Sequence, residues 1–147
     1  MTAYATATID SGFTEHLMQL RAAIDGRLDE LLPAASNERD LVAAAVRDGA
    51  LAPGKRMRPL LLLLAANGLG ASQRHALDMA CAIEMVHAAS LILDDMPCMD
   101  NAQLRRGRPT VHLAFGEDIA ILAAVALLSR AFGAVSYTHL RAHETGR

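Results

Sequence analysis

The sequence has no tryptophan, and aromatic residues make up only 3% of it. A surface that stacks bases needs exposed rings within a basic field. With a net charge of −2 the chain lacks that field too, so neither nucleic acid nor an anionic membrane surface is an expected partner. Cysteine is scarce as well. Cys81 and Cys98 form no metal-ligand spacing, and they are expected to be reduced thiols in a cytoplasmic protein. Long uncharged apolar runs are missing. The longest, residues 60–66 and 119–129, fall well short of the roughly 20 residues a bilayer crossing needs, so no membrane span is expected. The first ten residues carry neither a basic start nor an apolar stretch, and no targeting segment is expected there.

Apolar side chains make up 52% of the chain and charged ones 20%, which excludes disorder and leaves one domain with a substantial core. Alanine and leucine dominate and β-branched runs are few, so the expected fold class is all-α. Phe13, Leu17, Leu20, Ile24, Leu28 and Leu31 recur at helical spacing until Pro33 stops them. A second helix is expected from a cap at Ser36 or Asn37 to a stop at Gly49. A third, for which Pro59 is well placed as the start, runs from Leu60 to about Asn67 and is apolar on nearly every face, hence expected to be buried. A fourth runs from a Ser72 cap to about Asp95. After a polar loop over 101–110, a last apolar segment, opened by Thr110 or Gly116, spans Asp118 to about Val135. Periodicity then stops, and residues 136–147 are expected to be a tail that is not integral to the fold.

The fourth helix ends in Asp94 and Asp95, with Asp100 just beyond. Adjacent carboxylates at the end of an apolar run repel each other and need a counter-charge. Without His or Cys at ligand spacing, that charge is expected to be a hard cation such as Mg²⁺. The bland alternative is a solvated acidic loop. An EF-hand is excluded, because the alternating oxygen ligands and central glycine are absent. On an unbroken helix Asp100 would stand about 120° from Asp94. Pro97 breaks the helix and lets the chain fold back. Two basic loops, Lys55-Arg56-Met57-Arg58 and Arg105-Arg106-Gly107-Arg108, flank the carboxylates. Together they suit a diphosphate, whose oxygens match arginine forks and a lysine. His87 shares a face with Asp94 and reads equally as a ligand-facing group or a core histidine satisfied by Glu84 or a carbonyl. Met79, Met85 and Met96 read as core filling.

Pro53-Gly-Lys-Arg-Met-Arg-Pro59, Glu84-Met-Val-His87, the run from Ser90 to Asn101 and Leu104-Arg-Arg-Gly-Arg-Pro-Thr110 resemble the trans-isoprenyl diphosphate synthases, particularly the bacterial geranylgeranyl diphosphate synthases of carotenoid biosynthesis. The likeness covers residues 10 to 135, with Pro53 in place of the usual first glycine. It implies the N-terminal portion of the isoprenoid synthase helical bundle. It implies an enzyme, a prenyltransferase that condenses isopentenyl diphosphate with an allylic diphosphate, here farnesyl diphosphate extended to geranylgeranyl diphosphate. Lys55, Arg58, His87 and Arg106 would then hold the isopentenyl diphosphate group. Asp94 and Asp100, supported by Asp95, would bind Mg²⁺ bridging to the allylic diphosphate, which Arg105 would also grip. Ala89 and Ser90, five and four positions upstream of Asp94, would set product length. Both are small, which implies an open floor beneath the metal. A homodimer is implied for the full-length protein.

The family also uses a second aspartate-rich motif in a later helix, and this sequence has none. The expectation is therefore a truncated reading, inactive by itself, that ends in a non-native tail. Two other assignments compete. A class I terpene cyclase shares the all-α fold and one aspartate motif but has no use for the two basic loops. A non-catalytic partner subunit of a complete synthase would tolerate the missing motif.

Overall fold

The computed structural model describes residues 11–144, with side-chain environments through Ser136; the leader reading of residues 1–10 lies outside this range. Among the described residues the regular elements are helices and one short hairpin. In order come α1 (Ser11–Leu31), α2 (Leu41–Ala50), α3 (Met57–Gly68), α4 (Gln73–Asp94), β1 (Leu104–Arg105), β2 (Arg108–Pro109), α5 (Val111–Phe115) and α6 (Glu117–Glu144).

Helix α4 is the centre of the bundle, packed by α1, α2, α3 and α6. Its buried residues are mostly small: Ala80, Cys81, Ala82, Ala88 and Ala89, with Met85 and Ile92 as the larger fillers. The facing residues of α6 are Ala120, Ala123, Ala124, Leu127 and Ala131. Alanine on both sides shortens the separation of the two axes and lets the ridges of one helix enter the grooves of the other. Burial also pushes the Cys81 thiol up to about 12, so it is inert at neutral pH.

Several boundaries differ from expectation for local reasons. The cap of α2 is Asp40, whose carboxylate accepts from the Ala43 amide at 3.2 Å, rather than Ser36 or Asn37. That hydrogen bond, more than any other cause, lowers the Asp40 pKa. Gly49 does not stop the helix, which continues to Ala50. A side chain there would meet the Ile92 side chain at 2.8 Å, so this glycine permits close approach of α2 to α4. Pro59 lies in the first turn of α3, where its missing N–H has no intrahelical acceptor to lose. Helix α3 is not buried all round: Pro59, Leu60 and Leu63 face the core, and Leu61 faces outward. The loop after α4 carries the hairpin β1–β2, turned at Arg106 and Gly107, both with positive φ. Such a pair is characteristic of the turns that match strand twist. Thr110 and Gly116 each mark a boundary, Thr110 before α5 and Gly116 between α5 and α6. Helix α6 does not end near Val135; its backbone continues to Glu144 through the stretch read as a tail.

Two helical stretches, Gln73–Asp94 and Glu117–Ser136, are long and apolar enough to cross a membrane by length and composition, although charged residues interrupt both. More than half of the first is buried within the protein, as a central core helix requires. The second leaves Ile121, Leu122, Val125 and Phe132 exposed.

Candidate functional site

The loop at the end of α4 folds back as Pro97 requires. The Asp100 amide donates to the Asp94 carbonyl at 2.9 Å, and the amides of Asn101 and Ala102 donate to the carbonyls of Met96 and Asp95. The break therefore returns Asp100 to the helix end, and both Asp94 and Asp100 stand exposed on that rim.

Asp95 does not join them. It is 3% exposed, and its two oxygens accept from Arg105 Nε and Nη2, each at 2.7 Å. With both oxygens held by one guanidinium, Asp95 has its charge already matched within the chain. The fork equally changes Arg105, whose pKa is raised first by that hydrogen bond. Rather than reaching freely for an anion, Arg105 pins the hairpin to the end of α4.

The donor chemistry of Asp94 and Asp100 fits Mg²⁺, which takes one or two carboxylates and fills its remaining positions with water and substrate phosphate oxygens. Among the described residues no group of three or more His, Cys, Asp or Glu side chains forms a closed metal cage.

A separate basic cavity of about 570 Å³ lies between the loop after α2 and the middle of α4. Lys55, Arg58, His87 and Arg106 all line it, although they come from three separate segments. Arg105 is not among its lining residues and instead borders a smaller cavity behind the hairpin. Arg106 reaches across from the hairpin and donates to the Pro53 carbonyl. Gly54 makes room for it, since a Cβ there would overlap the Arg106 guanidinium. The glycine of the Pro-Gly-Lys motif thus lets the Arg106 guanidinium lie against the backbone.

Arg58 Nη1 lies 3.1 Å from His87 Nε2. A guanidinium can only donate, so the ring accepts there, and His87 is neutral with its proton on Nδ1. Burial and then the Arg58 charge hold the His87 pKa below its ordinary value. The unfolded ring binds more protons than the folded one, so its contribution to stability is present above about 6.5 and is lost as pH falls. An anion in the cavity reverses this bias. Binding of inorganic pyrophosphate near pH 6 is expected to take up a fraction of a proton that the His87→Gln variant does not take up. Calorimetry in two buffers of different ionisation enthalpy measures it, and equal uptake by both proteins would contradict the assignment.

The pairing of Arg56 with Glu84 departs from expectation, which places Arg56 with the ligand-facing loop and Glu84 beside His87. Arg56 sits in the left-handed region at φ 50° and caps α3. It is buried, with Nε 2.8 Å from Asp25 Oδ1 and Nη1 2.8 Å from Glu84 Oε1. Burial opposes its charge, but the hydrogen bonds it donates to Glu84 and Asp25 outweigh that and raise its pKa. Glu84 accordingly serves Arg56 and is not the partner of His87. The sequence signal was there, because an arginine among apolar helices with acidic residues on two of them needs a buried partner.

Below the rim an apolar groove of about 400 Å³ descends along α4, past Ser90, Val86, Ile83 and Met79, with Phe132 and Val135 of α6 on the far side. Arg58 and His87 border both groove and basic cavity. Met79 therefore lines a groove rather than simply filling the core. Ser90 faces this groove and donates to the His87 carbonyl. Ala89 does not; it is fully buried in the α4 core. One residue of rotation, about 100°, separates the two fates.

These features agree with comparisons of the whole chain. It is 68% identical over 120 residues to the geranylgeranyl diphosphate synthase of Pantoea ananas, a match covering 80% of this chain and 39% of that protein. It is 57% identical over 121 residues to the geranylgeranyl diphosphate synthase of Pseudescherichia vulneris, with 81% and 39% covered. The solved structure of an FPP/GFPP synthase from Zymomonas mobilis superposes with a TM-score of 0.79 at 41% identity, over 85% of this chain and 45% of that one. The chain thus spans less than half the length of each of these relatives. The polyprenyl synthetase model matches residues 39–145, which includes most of the stretch after residue 135. With its motifs, its helical bundle and these relatives in agreement, the chain belongs to the polyprenyl synthetase family.

Proposed function

We propose that this chain carries the isopentenyl diphosphate site and half of the allylic diphosphate site of a prenyltransferase that makes geranylgeranyl diphosphate. The observation that carries the reading is the adjacency of the basic cavity to the apolar groove across Arg58 and His87. It matches a ligand with a diphosphate head and a hydrocarbon partner. Lys55, Arg58 and Arg106 supply positive charge to the isopentenyl diphosphate, and His87, which the bound anion biases toward its protonated form, adds a hydrogen-bond donor. Asp94 and Asp100 would hold Mg²⁺, which supplies the charge that a departing allylic diphosphate needs. When the allylic carbon–oxygen bond breaks, its electron pair leaves with the diphosphate. The isopentenyl double bond attacks the allylic carbon, and the adduct loses a proton. The apolar walls of the groove keep water from the cation.

One experiment tests this reading. The chain alone is expected to give no prenyl product from labelled isopentenyl diphosphate, farnesyl diphosphate and Mg²⁺, because it has no second aspartate-rich motif. A chimera joining residues 1–135 to the missing C-terminal portion of the Pantoea ananas relative is expected to make geranylgeranyl diphosphate. A folded chimera without product, or product from the chain alone, would overturn the respective half of the reading. Within the chimera, Ser90→Tyr is expected to shorten the main product to farnesyl diphosphate when a shorter allylic primer is supplied, because it fills the groove one turn below the rim. Ala89→Tyr is expected to damage folding instead, and an unaltered product profile for Ser90→Tyr would refute the groove assignment.

The apolar face of α6, with Ile121, Leu122, Val125 and Phe132 exposed, supports a protein partner. In the complete enzyme we assign it to a homodimer in the cytoplasm. A non-catalytic subunit docked on a full synthase through the same exposed face of α6 is the second reading. It requires co-purification with that synthase and a change in its product length.

A further inference from the structure

Arg21 lines the basic cavity, yet it belongs to α1 and to none of the motifs. Its placement follows from the register of α1. Ile24 and Leu28 fill the core from this helix, and Arg21 stands one turn before Asp25, whose Oδ1 accepts from the cavity residue Arg56 at 2.8 Å. That tie fastens α1 to the cavity loop at the turn following Arg21.

The ordinary explanation of such a residue is a solvated helix pair at i and i+4. Here it accounts for little, because Arg21 Nε stands 4.0 Å from Asp25 Oδ2, at the limit of an ion pair and beyond hydrogen-bond reach. The carboxylates near the cavity, Asp25 and Glu84, are engaged by Arg56 at 2.8 Å. Among the described residues the Arg21 guanidinium has no closer acceptor, while its side chain is 49% exposed at the cavity edge.

We propose that Arg21 is a further diphosphate-binding residue, bringing a guanidinium fork from α1 to the group that Lys55, Arg58 and Arg106 contact. This rests on the reading of the basic cavity as the isopentenyl diphosphate site. It gives α1 a role in substrate recognition besides its role in packing.

Inorganic pyrophosphate without metal is the probe, since it addresses the basic cavity and leaves the aspartate rim unused. Affinity is measured by calorimetry or by phosphorus NMR titration of the full chain, with circular dichroism melting of each variant. Arg21→Gln is expected to weaken binding about tenfold, the effect of one charge-assisted hydrogen bond. Its melting temperature is expected to match that of the parent. Arg21→Lys is expected to recover part of the loss, as a point charge without a fork does. Unchanged affinity in Arg21→Gln, while Lys55→Gln binds more weakly, would overturn the role of Arg21 and leave the cavity reading intact. Affinity unchanged in both variants, or no binding by the parent chain, would overturn the cavity reading and the inference with it. An Arg21→Gln loss that comes with a lowered melting temperature, and that Arg21→Lys does not relieve, would also overturn it.

Discussion

Replacing Arg56 with Met lowers the unfolding free energy by about 3–5 kcal/mol, the cost of leaving a buried charge without its partner. The side chains of Arg56 and Glu84 are 5% and 7% exposed. Without the guanidinium, the buried Glu84 carboxylate loses the partner that its Oε1 accepts from at 2.8 Å. Asp25 is 43% exposed and can return to water, so it adds little to the loss. Against a typical total stability of about 5–15 kcal/mol this is a large fraction. In thermal melting it corresponds to a fall of roughly 10 °C. The double variant Arg56→Met with Glu84→Met is expected to recover most of the loss, because apolar side chains of similar volume can replace a buried pair. If the single variant melts within a degree or two of the parent, Arg56 is not the structural tie described here.

The second large effect separates Asp95 from its neighbours. Arg105→Met is expected to destabilise the fold by about 2 kcal/mol, a value discounted for solvent because the Arg105 side chain is 37% exposed. The loss arises at Asp95, whose side chain is 4% exposed and has both oxygens on Arg105. Asp94→Ala and Asp100→Ala remove exposed carboxylates and are expected to stay within about 0.5 kcal/mol of the parent. Urea unfolding of the four proteins distinguishes the cases. If all three aspartates were equivalent metal ligands poised on the rim, Arg105→Met would relieve nothing and cost nothing. In the chimera, Asp94→Ala and Asp100→Ala are expected to lose activity at unchanged stability, the reverse of the pattern at Arg105.

The two effects show where reading along the chain succeeds and where it stops. The all-α fold was legible because alanine, leucine and the breaks at glycine and proline act locally. The return of Asp100 was legible for the same reason, since a proline cannot continue a helix. The grouping of Lys55, Arg58, His87 and Arg106 was legible only through the order of the motifs, because nothing local draws residue 106 to residue 53. The positive φ values at Arg106 and Gly107 and the open space at Gly54 make that meeting possible.

What the sequence alone determined was the inventory: hard carboxylates after an apolar helix, two basic loops, and a helix long enough to carry both sites. Tertiary structure decided which of these groups are already spent. Asp95 and Arg105 neutralise each other, Arg56 is consumed by Asp25 and Glu84, Ala89 turns into the core while Ser90 faces the groove, and Arg21 arrives from a helix that carries no motif. The reason is physical. A charge is free for a ligand only if no buried counter-charge claims it first, and that competition is settled by distances between segments far apart in the chain.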